Sequence, residues 1–248
     1  MRREATGTSK KKYFSVALCF ALLALCMSVE AQQQARIYKI GWLSARRASN
    51  VGQETIVRML RDLGYVEGKN TIFEYRFADD KLDRLPALAD ELVRLKVDVI
   101  HTPGTPGALA LKKATQTIPI VFSDVTDPVA AGLVDSLARP GGNITGFSSI
   151  EALLAGKRLE LLKETVSKLS RVAVLWDPRN PSSTQEWKES QRAARELGLQ
   201  LHSMEVSSAD KYEEAFKEAV KARSGALAVL SNPVASSNQE QIAELAAR

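Results

Sequence analysis

A chain of 248 residues is long enough for one large domain or two ordinary ones. Its 34 basic and 29 acidic side chains give a net charge of +5, but residues 1–31 hold five basic groups (Arg2, Arg3, Lys10, Lys11 and Lys12) against Glu4 and Glu30, which leaves 29 against 27 in the remainder. That near balance carries no electrostatic footprint for nucleic acid, so no nucleic-acid partner is expected, and the overall pI near 9.2 comes from the first segment.

Residues 1–31 have the layout of a secretory signal peptide. Lys10 to Lys12 supply the positive flank, Tyr13 to Met27 is apolar apart from Ser15, and Val29-Glu30-Ala31 offers a cleavage site before Gln32. The apolar run is shorter than the roughly 20 residues of a spanning helix, with an uncleaved anchor as the alternative. Cys19 and Cys26 both fall inside it, so the processed chain has no cysteine and therefore no disulfide, thiolate metal site or thiol nucleophile. Leu18 and Leu25 precede the cysteines where lipidation needs a small residue, which argues against a lipid anchor. The expected location is periplasmic or otherwise extracytoplasmic.

The remainder alternates strand and helix. Arg36 to Leu43, rich in Ile, Tyr and Trp, predicts a buried strand followed by a polar loop over Ser44 to Asn50. Ile56, Val57, Leu60 and Leu63 share one helical stripe that Gly64 closes. Asn70 to Phe77 alternates as a strand, with Ile72 and Glu74 opposite Phe73 and Tyr75. Leu85, Leu88, Leu92 and Leu95 mark a helix that tolerates Pro86 in its first turn. Val97 to Ile100 is a strand running into His101 to Gly107, Ala108 to Thr115 a helix, and Ile118 to Phe122 a strand ending at Ser123-Asp124. Asp127-Pro128 suits an N-cap followed by Pro, opening a short helix.

Arg139 to Ser149 contains Pro140, Gly141, Gly142 and Asn143, a backbone able to turn sharply, then Ile144 and Phe147, which can re-enter a sheet. It reads as a hinge, because similar units lie on either side. Trp42 and Trp176 are 134 residues apart, and so are Leu63-Gly64 and Leu197-Gly198, Arg58 and Arg192, and Arg61 and Arg195. After the hinge, Leu153, Leu159, Leu162, Val166 and Leu169 predict a long amphipathic helix with Lys157, Arg158 and Lys163 on its wet side. Strands follow at Arg171 to Trp176, Leu199 to Val206 and Ala226 to Leu230, and helices to Leu197 and from Asp210, where Glu213 completes a capping box. The helix begun at Gln239 ends with the sequence, which reads as a second unit cut short at its C-terminus.

Short loops between alternating strands and helices imply right-handed βαβ units. The expected fold is α/β, with two Rossmann-like lobes, each a parallel sheet with helices on both faces, joined by a hinge. The expected boundaries are a signal peptide at 1–31, an N-terminal lobe at 32–146 and an incomplete C-terminal lobe at 147–248.

Ligands of open parallel sheets bind beyond the carboxyl ends of the strands. The loops there, Ser44 to Asn50, Thr102 to Gly107, Ser123 to Pro128, Asp177 to Ser183 and Ser231 to Ser237, are rich in Ser, Thr, Asn, Asp, Gly and Pro and poor in catalytic types. Only His101 and His202 are available as imidazoles, and no nucleophile elbow, Walker loop or dinucleotide glycine motif occurs. Binding without catalysis, metal or cofactor is the expectation. Ser44, Thr105, Asn180 and Asn232 are the leading ligand contacts by residue type. Asp124 and Asp127 form the close acidic pair of these loops, with helix capping a sufficient account of Asp127. Trp42 and Trp176 close their strands as core residues beside the proposed cleft.

Ile40-Gly-Trp-Leu-Ser44, Leu63-Gly-Tyr-Val-Glu-Gly-Lys-Asn70, Asp124 to Val134, Arg139 to Gly146 and Gly156-Lys-Arg-Leu-Glu-Leu-Leu162 together resemble the substrate-binding proteins of ABC transporters, of periplasmic-binding-protein fold type I and the tryptophan- and tyrosine-type group. The resemblance covers nearly all of residues 36–248. It implies a two-lobed clamshell that closes on a small polar or amino-acid-like solute, works as a monomer, and delivers the solute to an ABC permease in the inner membrane. By carry-over, Ser44, Thr105 and Asp127 from the first lobe and Asn180 and Asn232 from the second line the cleft. An enzyme on the same scaffold and an extracytoplasmic sensory module remain as alternatives.

Overall fold

The computed structural model describes residues 36–48 and 51–248. The proposed signal peptide, both cysteines and the end of the first polar loop lie outside these residues.

Two all-parallel sheets organise the chain. In order, the elements are β1 (Tyr38–Ser44), α1 (Val51–Asp62), β2 (Thr71–Phe77), α2 (Leu85–Arg94), β3 (Val99–Pro103), α3 (Thr105–Ala114), β4 (Ile120–Thr126) and β5 (Ile144–Ser149). The chain then leaves the first sheet through α4 (Glu151–Thr165) and builds β6 (Arg171–Trp176), α5 (Pro181–Leu197), β7 (Gln200–Glu205), α6 (Tyr212–Lys221), β8 (Ala226–Val229), α7 (Pro233–Ser237) and α8 (Gln239–Ala247). The five-stranded sheet runs β2-β1-β3-β4-β5 and the three-stranded one β7-β6-β8. In each, the first strand sits between the second and the third. The repeat in the sequence is therefore a repeat of topology. Gly64 and Gly198 end α1 and α5 in the left-handed region, at φ +92° and +65°. In both copies the following N–H reaches five residues back, Tyr65 to Leu60 and Leu199 to Ala194, each at 2.9 Å, which closes the helix as a Schellman turn.

Period-2 alternation explains why the strands are buried on both sides. Along β6, Ala173 and Leu175 enter a core with Met204, Tyr212, Val234 and Ile242, whereas Val172, Val174 and Trp176 enter another with Leu159, Ala194 and Leu199. The first sheet packs Leu43, Ile100 and Phe122 against Leu85, Leu88 and Leu92 of α2 and Leu111 of α3. Each such side chain contributes about 1.5–3 kcal/mol by leaving water. Its other face carries Trp42, Tyr75 and His101 and is approached by α1, whose described side chains are all at least partly exposed.

The structure departs from the sequence expectations at three places. The helix expected after Asp127 is one turn, because Gly132 takes φ +67° and redirects the chain. In α4, Leu153 is 81 % exposed. The buried stripe is instead Ala152, Ala155 and Leu159. Small residues win there because α4 lies close against α5: a Cβ on Gly156 would stand 3.2 Å from that of Ala193. Finally, Asp210 does not cap α6, which is entered through a short 3-10 turn at Ala209–Lys211.

Candidate functional site

The carboxyl ends of both sheets face one cavity of about 60 Å³. The first lobe contributes Ser44, Arg46, Thr105 and Asp124, and the second Glu151, Asn180, Ser182, Ser231 and Asn232. Ser44, Arg46, Pro103, Asp124 and Ser236 are shared with a larger hollow of about 570 Å³ that runs between α1 and the first sheet past Gln53, Ile56, Trp42 and His101. The two are parts of one cleft.

Four of the five residues nominated from the sequence meet in the smaller cavity. Ser44 is buried at the end of β1, and its Oγ accepts from the Arg46 N–H at 3.1 Å. Thr105 opens α3, and its Oγ1 lies 2.8 Å from Ser182 Oγ, a buried hydrogen bond between the lobes. Asn180 is the N-cap of α5: its Oδ1 accepts from the Ser182 N–H at 3.0 Å and its Nδ2 donates to the Ser231 carbonyl at 3.3 Å. Asn232 caps α7 through the Ala235 N–H at 2.7 Å and donates to the Leu230 carbonyl at 3.1 Å. Both asparagines thus have a full structural role, which their residue type alone did not reveal. The fifth residue, Asp127, lines a separate hollow of about 330 Å³ with Val129, Leu137 and Leu153, and accepts from the Ala130 N–H at 2.9 Å.

Asp124, its partner in the acidic pair, is the one that reaches the cleft. The register between β4 and β5 slips between Phe122 and Val125, and Asp124 sits in the slip at φ +57°. Such a bulge re-aims a side chain at a strand end. Gly146 makes it possible, because its neighbour across the ladder, the Phe122 carbonyl, lies where a Cβ would be.

Behind the cavity is Glu186 of α5, a fully buried carboxyl that no sequence signal singles out on a polar helix. Its Oε1 accepts from the Ser231 N–H at 3.3 Å and its Oε2 from Arg158 Nη2 at 2.9 Å, while Arg158 also donates to the Glu151 carbonyl at 2.7 Å. Burial, and then their mutual repulsion for Glu186 and the charge of Asp124 for Glu151, push both carboxyls above the ordinary range. Burial also lowers His101 to about 4. His101 Nε2 lies 3.2 Å from Ser123 Oγ, but Nδ1 has no hydrogen-bond partner, so the pair lacks both the orienting group and the basicity of a nucleophile-activating dyad. Among the described residues no group of three or more His, Cys, Asp or Glu is placed to hold a metal, and no helix is long and apolar enough to cross a membrane.

Residues 48–247 match the family model of the ABC transporter substrate binding protein. A tyrosine-binding protein of Clostridioides difficile is 31% identical over 164 residues, which is 66% of this chain and 47% of that protein. The chain thus spans about half the length of this relative. The crystal structure of a conserved domain protein from Vibrio cholerae O1 biovar El Tor superposes with a TM-score of 0.78 at 28% identity, over 86% of this chain and 71% of the other. An ABC domain from Streptococcus pneumonia in complex with L-Trp gives a TM-score of 0.73 at 22% identity, over 84% and 70%, which is a likeness of fold.

Proposed function

Since the chain belongs to the ABC transporter substrate binding protein family, whose members bind small solutes outside the cytoplasm and work with ABC permeases, we propose that it grips a small amino-acid-like solute between its two lobes. The solute is an aromatic amino acid of the tyrosine type. The observation that carries this reading is the cavity walled by both lobes, lined by Asp124 and Thr105 from one side and Glu151 and Ser182 from the other.

The chemistry of the walls suits such a ligand. Asp124 meets the ammonium group. The N-termini of α3 and α5 converge beside Thr105 and Ser182, and their dipoles favour a carboxylate. The larger hollow, beside Trp42, His101 and Ile56, takes the ring. The 31% identical tyrosine-binding relative supports the same class. Contacts to both lobes are what let a ligand favour closure, since one that touches a single lobe equally in both states shifts nothing.

In this reading the protein is secreted through its N-terminal segment, acts in the periplasm as a monomer whose lobes divide between β5 and α4, uses no cofactor, catalyses no reaction and binds no nucleic acid. A thermal-shift panel of amino acids, sugars and nucleosides tests it. Tyrosine at 100 times its Kd is expected to add about 2.7 kcal/mol of stability. A response confined to sugars or nucleosides, or conversion of a small substrate, would overturn it.

A further inference from the structure

The larger hollow carries a polar spot on an aromatic floor. His101 of β3 and Ser123 of β4 both line it beside Trp42, whose ring lies 4.3 Å from the imidazole. The register explains why they share a face: Trp42 pairs with His101, His101 pairs with Val121, and Ser123 stands two residues beyond Val121. His101 Nε2 lies 3.2 Å from Ser123 Oγ, while Nδ1 is buried and finds no partner among the described residues. Arg47 and Ser237, which also line the hollow, are engaged by Asp80 at 3.1 and 2.9 Å, and Arg46 is exposed to solvent.

Nδ1 decides which way the His101–Ser123 hydrogen bond runs. A neutral imidazole carries one proton, on either nitrogen, and burial keeps this ring neutral by lowering it to about 4. A buried N–H left unpaired is less tolerated in folded chains than an unpaired acceptor. The proton therefore sits on Nε2, which donates to Ser123 Oγ. Ser123, half-buried on the wall of the hollow, keeps its own O–H for a third group, and that group must be an acceptor.

We propose that Ser123, oriented by His101, is the residue that selects the solute's side chain: its hydroxyl donates to an oxygen carried on the ring, so a phenol is favoured over a plain phenyl group. Ser123 makes the contact and His101 is the positioning residue. A phenyl ring that displaces water from Ser123 gives the hydroxyl nothing in return, which is how a site built around a substrate oxygen rejects the analogue lacking it. The selectivity rests on the aromatic amino-acid reading above, whereas the tautomer of His101 does not.

Calorimetric titration of the full chain near neutral pH with L-tyrosine, L-phenylalanine and L-4-aminophenylalanine reads the preference. Tyrosine is expected to bind at least about tenfold more tightly than phenylalanine. 4-Aminophenylalanine has the same shape with a ring substituent that chiefly donates, and is expected to fall with phenylalanine. In Ser123→Ala the tyrosine-to-phenylalanine ratio is expected to collapse to about one. His101→Phe keeps a ring against Trp42 but removes the Nε2 donor, and is expected to narrow the ratio by weakening tyrosine far more than phenylalanine; a merely structural role would weaken both alike. Equal binding of tyrosine and phenylalanine by wild type, or 4-aminophenylalanine bound as tightly as tyrosine, would overturn the proposal and leave the aromatic reading in place. So would a ratio that survives Ser123→Ala, which would pass the role to another group such as Gln53. Binding of none of the three would overturn both. ¹⁵N NMR of the imidazole without solute decides the tautomer independently: a protonated Nε2 and a bare Nδ1 are expected, and the reverse would show Ser123 donating to His101 and end the proposal.

Discussion

Gly146 leaves no room for a side chain, because the Phe122 backbone and ring occupy the place of its Cβ. Gly146→Ala is therefore expected to destabilise the chain by about 1–3 kcal/mol or more, measured by urea denaturation, and to disturb the bulge that aims Asp124. A variant as stable as wild type would mean that the β4–β5 ladder relaxes freely there. His101 makes a pH-dependent contribution of defined sign. Its folded value of about 4 lies below the ordinary 6.5, so as pH falls the unfolded chain takes up the proton first. The stability this neutral histidine retains above 6.5 is lost as pH drops toward 4, by at most about 3 kcal/mol. Stability compared at neutral and acid pH is expected to fall further for wild type than for His101→Phe, which keeps a ring against Trp42 without a titrating group; parallel losses would refute this. The raised carboxyls have the opposite sign: stability is lost as pH rises from the ordinary value near 4.5 through their folded values. They are common to both chains and cancel in that comparison. At this scale the sequence was only half legible. Residue type pointed to Ser44, Thr105, Asn180 and Asn232, which do converge. It offered no means to tell Asp124 from Asp127, since a bulge decides which of them turns toward the cleft.

Caps and helix contacts carry the site at the next scale. Asn180 ends the loop after β6, starts α5 and ties both to Ser231. Asn180→Ala removes the cap, which is worth about 1 kcal/mol, and leaves the Ser231 carbonyl without that donor. The expected result is a loss of about 1–2 kcal/mol in denaturant unfolding, with Asn180→Asp, which keeps the capping oxygen, losing less than Asn180→Ala. Equal losses would assign the effect to something other than the cap. The elements themselves were readable from period and punctuation: Gly64 and Gly198 end helices, Pro86 sits in a first turn, and β6 alternates into two cores. What failed was the face of α4. Leucines normally mark the buried stripe, but a close helix crossing selects Ala and Gly, so Leu153 is left outside while Ala152, Ala155 and Gly156 face α5.

Across the whole molecule, the duplicated strand order and the hydrogen bonds between the halves decide what the cleft can do. Thr105 to Ser182 at 2.8 Å and Ser237 to Asp80 at 2.9 Å connect the lobes on the side where both sheets present their carboxyl ends. The repeat of 134 residues announced two similar units. It did not announce the place of crossing, because Arg139 to Asn143 has every feature of a hinge yet leads into β5, which completes the first sheet before α4 departs. A solute held from both sides is tested most directly by calorimetric titration of the chain with tyrosine, alongside Asp124→Asn in the first lobe and Ser182→Ala in the second. Saturable one-to-one binding is expected, weakened about tenfold or more by either substitution, as for a buried group left unpaired at about 1–3 kcal/mol. Binding indifferent to both substitutions, or to one lobe's alone, would contradict it.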